Sequence, residues 1–179
     1  MTIHRRQILA GLGAVTLLSF GGFPAVARAT TPKSTPKSLK LVNLHTGERF
    51  HGEFFEKDYL PDAIAELKHV LRDFRTGDAH DMDPRLYDWM ASLHKRLGGG
   101  EFSIISGYRS PATNRMLRAT SSGVAKKSKH MEGRAIDLRM AGVELADIRK
   151  MAMADRRGGV GFYPKSDFVH IDTGRPRSW

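Results

Sequence analysis

Leu39–Leu44 runs L-K-L-V-N-L, close to the two-residue period of a half-buried strand. Thr46-Gly47-Glu48 supplies a turn, and Arg49–Phe54 returns as a second strand. The period then lengthens. Over Ala63–Phe74, Ile64, Leu67, Val70, Leu71 and Phe74 recur at helical spacing, with Pro61 near the start. Asp83-Pro84 opens a second helix with Leu86, Trp89, Met90 and Leu93 on one face, and Gly98-Gly99-Gly100 ends it. Phe102–Ile105 reads as a short strand, Pro111–Leu117 as a short helix and Arg134–Leu138 as a strand. Val143–Met153 has an amphipathic helical pattern that stops at Gly158-Gly159. Val160–Tyr163 and Phe168–Asp172 form a final strand pair around Pro164-Lys165-Ser166. Helices before and between such strands predict one α+β domain over 39–179, a small antiparallel sheet with flanking helices.

Two segments precede that domain. Residues 1–29 have a basic pair, Arg5-Arg6, an apolar run from Ile8 to about Phe20, and a small-residue ending, Ala27-Arg28-Ala29. This is the layout of a cleavable export signal, and the run is shorter than the ~20 residues a membrane span needs. His4-Arg5-Arg6-Gln7-Ile8-Leu9 resembles a twin-arginine signal. Residues 30–38, TTPKSTPKS, have a linker composition. The expected mature protein is therefore periplasmic, with no membrane span.

Composition narrows the chemistry. The 179 residues include no cysteine, so thiol nucleophiles, disulfides and Cys-type metal sites are excluded. Any metal must be held by His, Asp or Glu. The formal charge of +10 falls to +7 when 1–29 is removed, because that segment carries three arginines and no acid. A basic exported surface favours an anionic partner, and outside the cytoplasm the peptidoglycan sacculus fits best. Lys126-Lys127 comes with no nucleic-acid recognition module, so nucleic acid is not an expected partner.

Three segments carry candidate chemistry: Ser106–Pro111 (S-G-Y-R-S-P), Ser128–Asp137 (S-K-H-M-E-G-R-A-I-D) and Phe168–Asp172 (F-V-H-I-D). His130 and His170 offer imidazole nitrogens and Asp137 a carboxylate oxygen. Two nitrogens and one oxygen suit Zn²⁺ and leave a fourth position for water. Gly133 lets the chain double back between the first ligand and the strand that bears Asp137. Spacing alone leaves a second reading open, because His170 and Asp172 also fit an ordinary polar pair. His45, His51, His69, His80 and His94 lie in unremarkable contexts and receive no role.

The second segment resembles the S-x-H-x-x-G-x-A-x-D signature of the D-alanyl-D-alanine zinc metallopeptidases. These share a fold with lysostaphin-type endopeptidases and the hedgehog signalling domain. S-G-Y-R-S-P resembles the arginine-bearing strand end of that family. The ending from Gly159 to Trp179 resembles its twin-arginine-exported murein endopeptidase branch, the murein endopeptidase K type. The likeness runs from about Leu39 to Trp179. It implies one zinc ion held by His130, Asp137 and His170, and an Arg109 that stabilises substrate or oxyanion charge. The general base stays open between two carboxylates. Asp167 lies three residues before the last ligand, where many relatives have Glu or Asp. Asp172 shares a strand face with His170 and can instead orient it. Glu132 reads as a solvated loop residue. Arg115, Arg118, Lys126, Lys127 and Lys129 suit the free carboxylates of muropeptides. The implied function is a monomeric periplasmic zinc endopeptidase that hydrolyses peptidoglycan cross-links. The alternatives are a D,D- or L,D-carboxypeptidase on stem peptides, or a non-catalytic zinc-containing murein-binding module.

Overall fold

In the computed structural model, which describes residues 34–121 and 123–179, strands β1 (Lys37–Asn43) and β2 (Arg49–Phe55) pair antiparallel. The expected export signal at 1–29 and the first part of the expected linker lie outside the described residues. β1 starts at Lys37, two residues before the expected Leu39. Two helices follow, α1 (Pro61–Val70) and α2 (Pro84–Arg96), then β3 (Phe102–Ser106) and α3 (Pro111–Thr120). A 3-10 turn, Lys129–Glu132, leads into β4 (Ala135–Met140). The remaining elements among the described residues are α4 (Leu145–Asp155), β5 (Gly159–Tyr163), a second 3-10 turn (Pro164–Ser166), β6 (Phe168–Asp172) and β7 (Arg177–Ser178).

The α+β class is as expected, but the sheet is neither small nor antiparallel throughout. It has seven strands in the order β2-β1-β3-β4-β6-β5-β7. β1 pairs parallel with β3, and β5 parallel with β7. Hairpin signals alone miss both pairings. The first needs the long crossover through α1 and α2, which parallel strands require. The second is made by a two-residue strand with no hydrophobic run of its own.

The sheet's two faces divide packing from chemistry. Ile136, Leu138 and Met140 of β4, Val169 and Ile171 of β6, and Val160 of β5 join the buried core. There they meet Trp89, Met90 and Leu93 of α2 and Ile148 and Ala152 of α4. Each such aliphatic side chain contributes about 1.5–3 kcal/mol by leaving water. The alternate positions, Asp137 on β4 and His170 and Asp172 on β6, point to the opposite face. A one-residue slip of β4 or β6 would exchange these sets, so the core fixes the register that brings the polar groups together.

Helix α1 ends at Val70, not at Phe74 as its periodicity predicts. Leu71 N still donates to Leu67 O, but the Leu71 carbonyl accepts from Tyr108 N at 2.8 Å. The chain then turns so that the Asp73 carboxylate reaches Ser110 N at 2.8 Å. Tertiary hydrogen bonds here override helical propensity. Among the described residues, no helix is long and apolar enough to cross a membrane.

Candidate metal centre

His130 sits in the 3-10 turn Lys129–Glu132, capped by the Ser128 side chain and closed by Gly133 at φ +64°. Only glycine fits there. The backbone is left-handed, and a Cβ would fall on the Asp81 carbonyl oxygen. His130 Nδ1 lies 2.7 Å from the Gly107 carbonyl oxygen, so Nδ1 carries the proton and Nε2 presents a lone pair. The Arg109 amide donates to the His130 carbonyl at 3.2 Å, tying the two segments together.

Asp137 and His170 stand opposite each other in the β4–β6 register. His170 Nδ1 is 2.8 Å from Asp137 Oδ1 and 3.2 Å from His130 Nε2. His130 Nε2 is 3.3 Å from Asp137 Oδ1. All three residues are nearly buried. They form a group able to hold a metal ion.

The donor set fits a tetrahedral ion. Ligands about 2.1 Å from a tetrahedral zinc lie roughly 3.4 Å apart, close to the three observed separations. The electrostatics agree. Two inward lone pairs and a carboxylate repel one another unless a proton or a cation lies among them. In the metal-free site, burial disfavours charge on His170, but Asp137 and Asp172 outweigh it and push its pKa up to about 9. Burial likewise works against the Asp137 carboxylate, and the two imidazoles hold it well below the ordinary range.

The two candidate bases have different surroundings. Asp172 is fully buried and lies on the far nitrogen of the ring, accepting from His170 Nε2 at 3.1 Å. It also accepts from Gly174 N at 2.8 Å and from both terminal nitrogens of Arg177 at 3.1 and 2.7 Å. Burial opposes its ionisation, yet these four donors hold its pKa well below the usual range. Its contacts are those of a carboxylate that fixes a ring. Asp167 stands just before β6, left-handed at φ 56°, exposed, and ion-paired with Arg139. Its neighbours Ser166 and Phe168 line the cleft above the three donors.

That cleft has a volume of about 490 Å³. Arg109, Lys127, Lys129, Tyr163 and Arg177 are among its walls. The Arg109 side chain is largely buried, with Nη2 3.8 Å from Asp137 Oδ2 and 3.3 Å from Ser106 Oγ. Its Nε has no partner among the described residues. Burial draws its pKa down and Asp137 counters that pull, leaving a guanidinium with spare donors beside the three candidate donors. Lys129 pairs with Glu132 at 2.8 Å, and Glu132 is solvent-exposed as expected but ends the 3-10 turn instead of lying in a loop. Of the five flanking cations, Lys127 and Lys129 line the cleft.

Sequence reasoning passed over three contributors. Asp73 is buried and accepts from Ser110 N, the residue after Arg109. Gly107 supplies the carbonyl that orients His130. Arg177 holds Asp172. The first two acquire their roles only when distant segments meet. The third had a signal in its closeness to the F-V-H-I-D segment.

Residues 31–179 match the sequence profile of the family described as Peptidoglycan L,D-endopeptidase MepK. The protein of that name from Escherichia coli K12 is 47% identical over 179 residues, covering 98% of this chain and 97% of its own length. That of Shigella flexneri is equally similar. The probable peptidoglycan L,D-endopeptidase MepK of Haemophilus influenzae is 43% identical over 180 residues, covering 98% and 95%. A shared sequence of this extent, with the His–Asp–His centre at the floor of a basic cleft, makes the chain a member of the peptidoglycan L,D-endopeptidase MepK family.

Proposed function

We propose that the chain is a zinc-dependent murein endopeptidase that hydrolyses peptide cross-links of peptidoglycan in the periplasm. The observation that carries this reading is the convergence of His130 Nε2, His170 Nδ1 and Asp137 Oδ1 beside the underused guanidinium of Arg109. Residues 1–29 serve as its twin-arginine-type export signal, 30–38 as its spacer and 39–179 as the catalytic domain, which acts as a monomer. The family's printed name supports the L,D specificity.

His130, Asp137 and His170 would hold the ion. Bound zinc supplies Lewis acidity and brings the pKa of a coordinated water to about 7. Arg109 is placed to donate to the scissile carbonyl oxygen as negative charge builds on it. Asp172, committed to His170 and Arg177, keeps the His170 ring in the tautomer that binds metal. Proton transfer from water to the leaving amine is assigned to Asp167, whose neighbours Ser166 and Phe168 line the cleft. Lys127 and Lys129 favour the free carboxylates of stem peptides at the mouth.

The test is direct. Purified protein is incubated with cross-linked muropeptide dimers, with chelator, and with chelator followed by zinc, and the products are weighed by mass spectrometry. Dimers should become monomers, stop doing so with chelator and resume with zinc. Loss of terminal alanine with dimers intact would overturn the endopeptidase reading.

A further inference from the structure

Arg177, carried by β7, lines the cleft together with His170 and Asp172. β7 runs parallel to β5, pairing Gly159 with Arg177 and Val160 with Ser178. The pairing continues past the strand: Trp179 N donates to Val160 O at 3.2 Å, and Phe162 N to Trp179 O at 3.0 Å. Arg177 thereby lies over Asp172 and grips both carboxylate oxygens. The Trp179 ring lies 5.4 Å from the His170 ring, and the Arg177 guanidinium 4.6 Å from the Trp179 ring. The indole N–H donates to Tyr163 Oη at 2.7 Å.

β5 is shaped to admit these groups. Its G-V-G start puts Gly159 opposite Asp172 and Gly161 opposite His170. A Cβ at 159 would fall on the Arg177 guanidinium and on Asp172 Oδ2. A Cβ at 161 would come within 2.8 Å of the Trp179 indole. Both glycines therefore clear space on the face that carries the metal donors, while Val160 between them packs into the core.

We propose that Arg177 is a positioning residue for the metal centre, acting through Asp172 on His170, with the Trp179 ring beside that imidazole. This role rests on the reading of His130, Asp137 and His170 as metal ligands. A bidentate guanidinium fixes both oxygens of Asp172, and Asp172 fixes the ring plane and tautomer of His170. A flexible carboxylate would let the ring turn its lone pair out of the site. The terminal strand is thus part of the metal site without supplying a ligand.

The test measures zinc affinity by competition with a chromophoric chelator on the purified protein, alongside near-ultraviolet circular dichroism of the metal-free form. Arg177→Ala should weaken zinc binding by about 10–100-fold with the fold retained. Arg177→Lys should recover only part of it, because an ammonium cannot grip two oxygens in one plane. His130→Ala is the control for the underlying reading. If it leaves affinity unchanged, the metal-ligand assignment fails. If it abolishes binding while Arg177→Ala matches the wild type, only the role of Arg177 fails. Unfolding of both Arg177 variants without zinc would make Arg177 a folding residue and also overturn the proposal.

Discussion

The Gly107 carbonyl oxygen lies 2.7 Å from His130 Nδ1, and residue 107 cannot carry a side chain, because a Cβ there would fall on the Leu71 carbonyl oxygen. One backbone position thus orients the His130 ring and packs against the end of α1. Gly107→Ala should force the 107–109 segment away from Leu71 and take the carbonyl away from His130. The expected result is a fall in zinc affinity of about 10–100-fold together with a lower melting temperature. Chelator competition and thermal unfolding of the metal-free protein check both effects. An unchanged affinity would mean that the ring is held without this bond.

The two carboxylates flanking the last ligand should separate cleanly by their consequences. Asp172 holds His170, so Asp172→Asn should lose zinc affinity, and excess zinc should restore much of the turnover. Asp167 touches no ligand, so Asp167→Asn should keep its zinc and lose about 10²–10⁴-fold in kcat. Bound zinc measured by elemental analysis, beside muropeptide cleavage rates, distinguishes them. Full activity in Asp167→Asn at saturating zinc would remove Asp167 as the base.

How much of this was legible depended on how local each signal is. His130 and Asp137 sit in one ten-residue segment, but spacing alone left them open; the resemblance of that segment to the metallopeptidase signature joined them to His170, and the β4–β6 register brings the three side chains together. The choice between Asp167 and Asp172 could not be read from the sequence. It turns on where β6 begins and on Arg177, which arrives through a two-residue strand with no periodicity to detect. Asp73 was hidden for the same reason. Its sequence neighbourhood reads as the end of a helix, and its partner, the Ser110 amide, is 37 residues away. The mixed sheet escaped because parallel pairing leaves no turn between the paired strands.

Arg109 should matter to catalysis more than to the metal. Its guanidinium lies 3.8 Å from Asp137, too far for a strong hydrogen bond, and its Nε has no partner among the described residues. Removing it leaves the three donors in place. Arg109→Ala should therefore retain zinc and lose about 10²–10³-fold in kcat/KM. Arg109→Lys should recover little, since the planar pair of donors is gone. Comparable losses of zinc and activity in Arg109→Ala would assign the residue to ligand positioning instead.

Asp83 should set part of the acid limit of stability. Its side chain caps α2 by accepting from Arg85 N at 3.0 Å, and it accepts from Thr173 Oγ1 at 2.6 Å. Burial works against its charge, but the bonds from Arg85 and Thr173 prevail and hold its pKa at about 2, against 3.8 for the free group. The folded value is the lower one, so the unfolded chain binds the proton more readily. The stabilisation is present above the unfolded pKa and disappears as pH falls through the folded value. Its upper size is about 2 kcal/mol, reduced by water around the exposed Arg85 guanidinium. Asp83→Asn keeps a capping oxygen and removes the charge. Wild type should exceed this variant in unfolding free energy at pH 6, with the gap closing between about pH 5 and pH 2. Urea unfolding of both proteins across that range checks it, and a gap independent of pH would assign the effect to the cap alone.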